Sequence, residues 1–281
     1  METSIANNPL AKHFRQPAIY LKLPSKGKFY PEGTLELGVS GDIPVYPMTV
    51  KDEFVLKTPD ALMNGTSMSE MIRSCCPSIK DPWAIPMIDL DPILIAIRLA
   101  SYGHDMDMKS NCQHCQAEND HTVDLRQVLD QLKPATAFDQ TTYLDGLVFD
   151  VQPQTFQDIN TASQMAFEQQ RIIAVVSDTT TDIDERKAKF NESFAKLTEL
   201  NIGTLVSCIK SITTAEGVKV IEKELIRDFL NNCDRKTYDD VREMITEKLK
   251  STALDPMTVP CESCEKQYKI TLDFNQSNFF A

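Results

Sequence analysis

The sequence predicts an α+β protein made of two related, pseudo-symmetric halves, residues 1–135 and 136–281. The first observation is a repeated stretch. CQHCQAENDHTVDL at 112–125 and CESCEKQYKITLDF at 261–274 both open with Cys-x-x-Cys and place Thr, an aliphatic residue and Asp at the same later offsets. The second is the pattern Val-x-Pro-x-Thr-x-x-Asp, found at 45–52 and again at 151–158. Because both repeats occur in the same order, each half is predicted to contain short strands, helices and then a cysteine knuckle with a β-strand.

The composition is that of a globular chain with an acidic surface. Of the 281 residues, 42% are hydrophobic and 25% are charged, and the net charge is −12. The longest compact apolar run, residues 93–97, is far shorter than the ~20 residues of a membrane span, and the first residues have no apolar signal-peptide core. We therefore expect a cytosolic chain without a membrane span. Its acidity disfavours a broad nucleic-acid footprint and favours protein partners.

The first half is divided into short elements by proline and glycine. Residues 19–23 and 35–37 alternate apolar and polar side chains, which is typical of short strands. Residues 58–65 combine an N-cap, a proline at the first helical position and a terminal glycine, so they predict a short helix. Asp91-Pro92 gives the same start signal before the apolar run ILIAIRLA, which predicts a buried helix, and 124–132 predicts another.

The second half contains a helical region from about residue 157 to residue 250. Its apolar residues recur at spacings of three and four, which predicts helices that pack one face onto a core. These stripes are Phe190, Phe194 and Leu197; Ile221, Leu225 and Phe229; and Val241, Met244, Ile245 and Leu249. The polar run at 177–184 predicts a loop that ends in a helix cap.

The two Cys-x-x-Cys pairs predict one structural zinc site of the zinc-ribbon type. Two thiolates in a tight turn can reach one metal, and two such turns supply Cys112, Cys115, Cys261 and Cys264, which complete a tetrahedral shell. One knuckle from each half would then join the halves across 145 intervening residues. Spacing alone does not distinguish zinc from iron. A catalytic metal keeps an open coordination position, and four cysteines leave none.

Other interpretations of the cysteines remain open at this level. The four residues are free thiols in one alternative and thioredoxin-like redox pairs in another, although a redox pair usually begins a helix, whereas both pairs here precede predicted strands. His114 inside the first knuckle could replace one thiolate. The remaining cysteines have no ligand spacing and are expected to behave as small buried hydrophobes; they are Cys75, Cys76, Cys208 and Cys233.

The sequence contains no familiar catalytic motif. It has no phosphate-binding Gly-x-x-x-x-Gly-Lys loop, no Gly-x-Ser-x-Gly elbow and no Gly-x-Gly-x-x-Gly turn. The chain has nine glycines, and they do not cluster. We therefore expect a protein that is not an enzyme.

Two segments are candidate partner contacts. The turn at 23–31 carries Lys26 and Lys28 beside Phe29 and Tyr30, and aromatic residues are enriched in interface cores. The chain also ends in Phe279-Phe280-Ala281, with little sequence left to cover two aromatic rings. In each case the alternative is that the aromatic side chains pack against the chain's own core.

Several stretches together resemble one protein family. They are LPSKGKFYP at 23–31, VYPMTVKDE at 45–53 with TPDALMNG at 58–65, IRSCCPSIKDP at 72–82, IRLASYG at 97–103, and the closing CESC and LDFNQSNFF. In this order they resemble the baseplate proteins of T-even (T4-like) contractile-tailed bacteriophages, grouped with the hub and hub-assembly component. The similarity is strongest over residues 20–130 and looser through the helical centre.

The resemblance implies a viral tail protein that acts in baseplate assembly through contacts with other hub or wedge proteins. It implies a location in the host cytoplasm during assembly and in the virion tail baseplate afterwards, and leaves open whether the protein stays in the finished particle. It assigns no catalytic residue. Two other function classes remain as alternatives, a zinc-ribbon nucleic-acid-binding protein and a thiol oxidoreductase.

Overall fold

The computed structural model describes residues 8–58, 65–176, 183–271 and 279–280. Its helices stand beside several small antiparallel sheets, so the predicted α+β class is confirmed. The helix predicted over 58–65 and the loop predicted over 177–184 lie largely outside the described residues. No helix in the described part of the chain is both long and apolar enough to cross a membrane.

The first half begins with a pair of strands and continues into helices. Strands β1 and β2 are antiparallel, with Leu21 opposite Ile43, and residue Leu35 forms only an isolated bridge to Ile79 where a strand was predicted. The elements of this half are β1 (Ile19–Lys22), β2 (Asp42–Val45), α1 (Val50–Leu56), α2 (Thr66–Cys75), α3 (Met87–Tyr102), β3 (Asp105–Asn111), β4 (Glu118–Asp124) and α4 (Leu125–Asp130).

Helix α3 starts earlier than the sequence predicts. Its first residue is Met87 rather than Pro92, and Pro92 lies inside the helix. A proline there removes one backbone hydrogen bond at a cost of about 3 kcal/mol. The side chains that follow it are buried on every side of α3, so their burial offsets the cost and the helix continues through the proline.

The second half contains a four-stranded antiparallel sheet, a long helical pair and a final strand pair. The sheet order is β5-β6-β7-β8, and β9 pairs with β10. The elements are β5 (Thr142–Leu144), β6 (Leu147–Val151), α5 (Phe156–Val176), α6 (Ile183–Cys208), β7 (Ile209–Thr213), β8 (Lys219–Val220), α7 (Lys223–Asn232), α8 (Arg235–Thr252), β9 (Met257–Pro260) and β10 (Gln267–Ile270).

The repeated Val-x-Pro-x-Thr-x-x-Asp pattern forms the same helix start twice. Before α1, the backbone N–H of Thr49 donates to Asp52 Oδ2 at 2.7 Å, and Asp52 N–H donates back to Thr49 Oγ1 at 3.3 Å. Before α5, the corresponding bonds join Thr155 and Asp158 at 2.9 and 3.1 Å. Each is a capping box that satisfies amide groups left open at a helix N-terminus. The predicted entry from extended chain into helix is confirmed in both halves.

The predicted apolar stripes have mixed outcomes. In α8 the prediction is confirmed, because Val241, Met244 and Ile245 are buried. In α7 the outcome is divided: Ile226 and Leu230 are the buried residues of that helix, and the predicted member Phe229 packs against the same cluster. The predicted members Ile221 and Leu225 are 59% and 53% exposed, and Phe194 of α6 is 62% exposed.

Lys223 joins the start of α7 to the end of α6. Its amino group donates to the carbonyl groups of Val206 at 3.0 Å and Ile209 at 2.5 Å, at the junction of α6 and β7. These bonds fix the start of α7 against that junction. In the helix that follows, Ile226 faces the core, whereas Leu225 is exposed.

The buried apolar side chains form two main cores. The first core contains β1, β2 and helices α1 to α4, together with Phe156, Phe279 and Phe280. The second contains the four-stranded sheet and helices α6 to α8. A smaller cluster surrounds Cys112 and Cys261. The end of the chain therefore packs with the first half of the protein.

Candidate metal centre

Both Cys-x-x-Cys pairs lie in the turns of β-hairpins. The first turn joins β3 to β4, which pair from Asp105↔Asp124 to Asn111↔Glu118. The second joins β9 to β10, which pair from Met257↔Ile270 to Pro260↔Gln267. The strand predicted after each knuckle is confirmed, and the structure adds a strand before each. Neither pair begins a helix.

The two turns have the same backbone geometry. Gln116 N–H donates to the carbonyl of Cys112 at 2.9 Å, and Glu265 N–H donates to the carbonyl of Cys261 at 2.9 Å. Gln116 and Glu265 both adopt left-handed backbone conformations, with φ of 62° and 58°. Such values are uncommon for residues other than glycine. Each one follows the second cysteine of its pair, so the chain turns back in the same way at both knuckles.

The structure brings the four predicted cysteines together. All four Sγ atoms of Cys112, Cys115, Cys261 and Cys264 lie within 4.8 Å of one another. The Sγ atoms of Cys112 and Cys264 are 3.8 Å apart, and those of Cys115 and Cys261 are 3.6 Å apart. A disulfide requires about 2.05 Å. Four sulfurs bound to one zinc at about 2.3 Å stand about 3.8 Å apart in a tetrahedron, so the donor set fits a tetrathiolate metal site.

The surroundings of the sulfurs favour the thiolate form at Cys261 but not at Cys115. An N–H bond at Ala117 lowers the pKa of Cys115, but desolvation and the neighbouring thiols outweigh it and raise that pKa to about 12. Cys112 and Cys261 are buried, whereas Cys115 is exposed and Cys264 is half-buried. The backbone N–H of His114 donates to Cys112 Sγ at 3.4 Å. Desolvation raises the pKa of the Cys261 thiol, but N–H groups of its own knuckle and the neighbouring thiols outweigh it and lower that pKa to about 6. Thiolate is the form that binds a metal.

Side chains at equivalent positions hold the two hairpins against each other. Asn119 and Tyr268 each stand seven residues after the first cysteine of their repeat, and both are buried. Asn119 Oδ1 accepts from the backbone N–H of Glu262 at 2.8 Å. The Tyr268 hydroxyl lies 2.7 Å from Ser110 Oγ and 2.8 Å from His121 Nε2. Sequence reasoning did not select these residues, although their shared offset was available as a signal.

His114 and the four cysteines outside the two pairs do not belong to the sulfur cluster. The His114 ring lies 3.2 Å from the Gln267 carbonyl and outside the sulfur cluster, which argues against its use as a ligand. Burial raises the pKa of Cys75 to about 12 and that of Cys208 to about 11. Cys76 is buried as well, and Cys233 is half-buried. The prediction of small buried hydrophobes is confirmed for Cys75, Cys76 and Cys208.

The turn at 23–31 is held to the protein by its own side chains. Ser25 donates to the buried carboxylate of Asp89 through its backbone N–H, at 2.9 Å, and through its hydroxyl. Phe29 packs edge-on against Phe138, with ring centroids 5.7 Å apart, and Tyr30 packs against the first core. This internal packing favours the alternative in which Phe29 and Tyr30 anchor the turn to the chain's own core, and a partner contact at these residues stays a prediction.

Unlike the aromatic residues, the two lysines of the same turn lie at the surface. Both Lys26 and Lys28 are exposed. Lys26 adopts a left-handed conformation with φ of 53°, and Lys28 Nζ lies 2.6 Å from Asp139 Oδ1. Their amino groups therefore remain at the surface.

The C-terminal phenylalanines also dock internally. Phe279 is fully buried, Phe280 is 8% exposed, and both belong to the first core. The buried guanidinium of Arg98 donates to the Phe279 carbonyl and lies 5.6 Å from the centre of the Phe279 ring. This favours the alternative in which the pair packs against the chain's own core, and its entry into a neighbour's groove stays a prediction. A lone arginine in an apolar helix, ILIAIRLA, was the signal that could have indicated an internal partner.

Comparison with known proteins adds one match. The sequence model of a family described as T4 bacteriophage base plate protein matches residues 16–281. No curated protein and no solved structure matches the chain. The matched region covers both knuckles, both capping boxes and the docked C-terminal phenylalanines.

Proposed function

The chain belongs to the T4 bacteriophage base plate protein family, and from this premise we propose that it builds or helps to assemble the baseplate of a phage tail. The single observation that carries the proposal is the family match over nearly the whole chain. The protein acts through contacts with other hub or wedge proteins and carries out no catalysis. It is in the host cytoplasm during assembly and then in the virion tail baseplate. An acidic chain with net charge −12 suits contacts with basic protein surfaces rather than with nucleic acid.

A structural zinc ion on the four cysteines stabilises this protein. The close sulfur cluster and its Sγ–Sγ distances of 3.6 and 3.8 Å support the proposal. Bound zinc would link the two hairpins directly. Because four thiolates fill a tetrahedral shell, no position is left for a reacting water, which makes the role structural.

The zinc site joins two related halves, residues 1–135 and 136–281. Support comes from matched local geometry: the capping boxes at Thr49 and Thr155, and the left-handed residues Gln116 and Glu265. In each half a strand pair precedes the capping box and a knuckle hairpin follows the helices. A single zinc ion with one knuckle from each half then explains why the fourteen-residue stretch is repeated.

Two competing functions predict different behaviour. A zinc-ribbon nucleic-acid binder would shift DNA or RNA in a gel with strong salt dependence. A thiol oxidoreductase would contain one exposed cysteine that alkylates much faster than the rest. The position of both pairs in hairpin turns, rather than at helix N-termini, supports the structural role.

The exposed lysines of the 23–31 turn are a proposed partner contact. Lys26 and Lys28 project from a turn that Asp89 holds in place, so they are presented without a large ordering cost. A double Lys26→Ala, Lys28→Ala variant should fold normally, since exposed ion pairs contribute about 0–1 kcal/mol. It should bind its tail partners more weakly in a pull-down. Unchanged binding would exclude these side chains from the interface.

Reconstitution of the baseplate with a tagged copy of the chain tests the main proposal. The tagged protein is mixed with the purified hub and wedge proteins, and complexes are isolated by size and by the tag. We expect co-purification with at least one tail protein, and omission of the chain should reduce the yield of complete baseplates. Complete baseplates that form equally well without the chain, together with no co-purification, would contradict the proposed function.

A further inference from the structure

Helices α5 and α6 lie side by side and leave an open groove of about 1010 Å³ along one side of the pair. On α5 the groove extends from Gln157 to Gln169, and on α6 from Glu192 to Ser207. At 1.5 Å per residue these walls are about 18–22 Å long. That length equals three to four turns of a further α-helix.

The residues that face the groove suit a third helix. On each wall they recur at spacings of three and four, the pattern by which helices pack together in bundles. Small side chains at Thr161, Ala162, Ala195 and Gly203 allow a neighbouring helix to approach closely. Met165 also lines the groove and is 48% exposed. A methionine adapts its shape to an apolar partner.

The groove carries an excess of negative charge. Four carboxylates and two cations line it: Asp158, Glu168, Glu192, Glu199, Lys196 and Arg227. Two ion pairs use both cations, with Glu192–Lys196 at 2.8 Å and Glu199–Arg227 at 3.4 Å. The net charge of the lining is therefore −2. A partner with lysine or arginine beside its apolar face would complement this surface.

One buried polar atom in the groove also indicates an occupant. Gln169 is 6% exposed and lines the groove. Within the described residues its Oε1 atom accepts no hydrogen bond. Buried polar atoms in folded proteins nearly always have a partner. A donor on a helix lying in the groove would satisfy this amide.

We propose that the α5–α6 groove binds an amphipathic, basic helix of another baseplate protein. The helix has three to four turns, small or medium apolar residues on one face, and lysine or arginine at the edges of that face. The proposal rests on the proposed baseplate function and adds the surface and the chemistry of the partner.

Photo-crosslinking in the reconstituted baseplate tests the groove. A benzoylphenylalanine replaces Met165 in the groove, and in a matched control it replaces Thr198, which is exposed on α6 outside the groove. Crosslinked peptides are identified by mass spectrometry. We expect the position 165 probe to capture a basic helical segment of a different tail protein, at a yield at least fivefold above the position 198 probe. Glu168→Lys should reduce that yield at least threefold, whereas Glu243→Lys, an exposed residue of α8, should not.

Other outcomes would overturn the inference. Capture of a second copy of this chain, of an acidic or extended segment, or of nothing in baseplates that contain the chain would show that the groove does not bind the proposed helix. If the tagged chain is absent from every complex, the proposed function itself fails, and the groove proposal fails with it. The amount of tagged chain in the complexes distinguishes the two results.

Discussion

Removal of the metal should destabilise the whole protein, because the sulfur cluster closes a very long loop. Between Cys115 and Cys261 the chain contains 145 residues, which include every buried residue of the second core. A crosslink that closes a loop of this length is worth about 5 kcal/mol in the chain-entropy treatment. Domains are commonly stable by about 5–15 kcal/mol. The loss should therefore lower the melting temperature by roughly 10–20 °C for a chain of this size.

The measurement compares metal-loaded, chelated and variant protein. Metal analysis of protein purified in reducing buffer should give about one zinc per chain, and treatment with a strong chelator should lower the melting temperature by the stated amount. Cys112→Ser should lose the metal, melt with the chelated protein and no longer respond to chelator, since one of four ligands is gone. Cys233→Ser is the matched control, because Cys233 lies outside the cluster. It should keep both the metal and the melting temperature.

Two results would contradict the predicted stabilisation by a metal at the four cysteines. A chelated protein that melts within about 1 °C of the loaded protein would show that the cluster does not stabilise the fold. A Cys112→Ser variant that retains a full equivalent of zinc would show that the metal lies elsewhere. Iron in place of zinc would change the identity of the ion and leave the link between the hairpins intact.

Three further predictions concern packing, pH and helix capping. Changing both Phe279 and Phe280 to Ala should lower the free energy of unfolding, measured with urea. The loss should be no smaller than the roughly 3–5 kcal/mol of one truncated core Phe. Burial raises the pKa of Asp89 to about 6, against ~4 when unfolded, so the folded chain binds more protons between these values and stability falls by roughly 3 kcal/mol as pH rises through them. Asp89→Asn should remove this contribution and leave the similar slope of Asp91, whose pKa burial also raises to about 6. Thr49→Ala and Thr155→Ala should each lower the free energy of unfolding by about 1 kcal/mol, since each breaks the capping box of its own helix.

Each of these predictions has a control on the surface. Phe167→Ala, at a ring that is 50% exposed, should cost much less than the change at the tail. Asp255→Asn removes an exposed carboxylate paired with Lys133 and should leave the pH slope unchanged. Thr198→Ala, at an exposed position within α6, should be neutral because alanine favours helix. A tail variant that unfolds like the parent but fails to enter baseplates would restore the role of Phe279 and Phe280 as a partner anchor.

Much of the candidate site could be predicted from the sequence because its geometry is local. Two cysteines three residues apart, followed by an alternating strand, determine a knuckle whose turn involves only a few residues. The capping boxes follow from Thr and Asp three residues apart for the same reason. Asn119 and Tyr268 were within reach of the same comparison, since they occupy one offset in the repeat. Their hydrogen bonds across the two hairpins were not, because these join residues more than 140 positions apart.

The sequence by itself determined the α+β class, the four sulfur donors and the two helix starts, since each depends on residue types at short, fixed spacing. Only the tertiary structure decided where long-range surfaces meet. Lys223 joins the start of α7 to the end of α6 through its amino group. Asp89 holds the 23–31 turn against the protein through Ser25, and Arg98 together with the first core covers Phe279. A side chain's partner across the fold depends on the packing of every other element, and a local pattern contains no information about that packing.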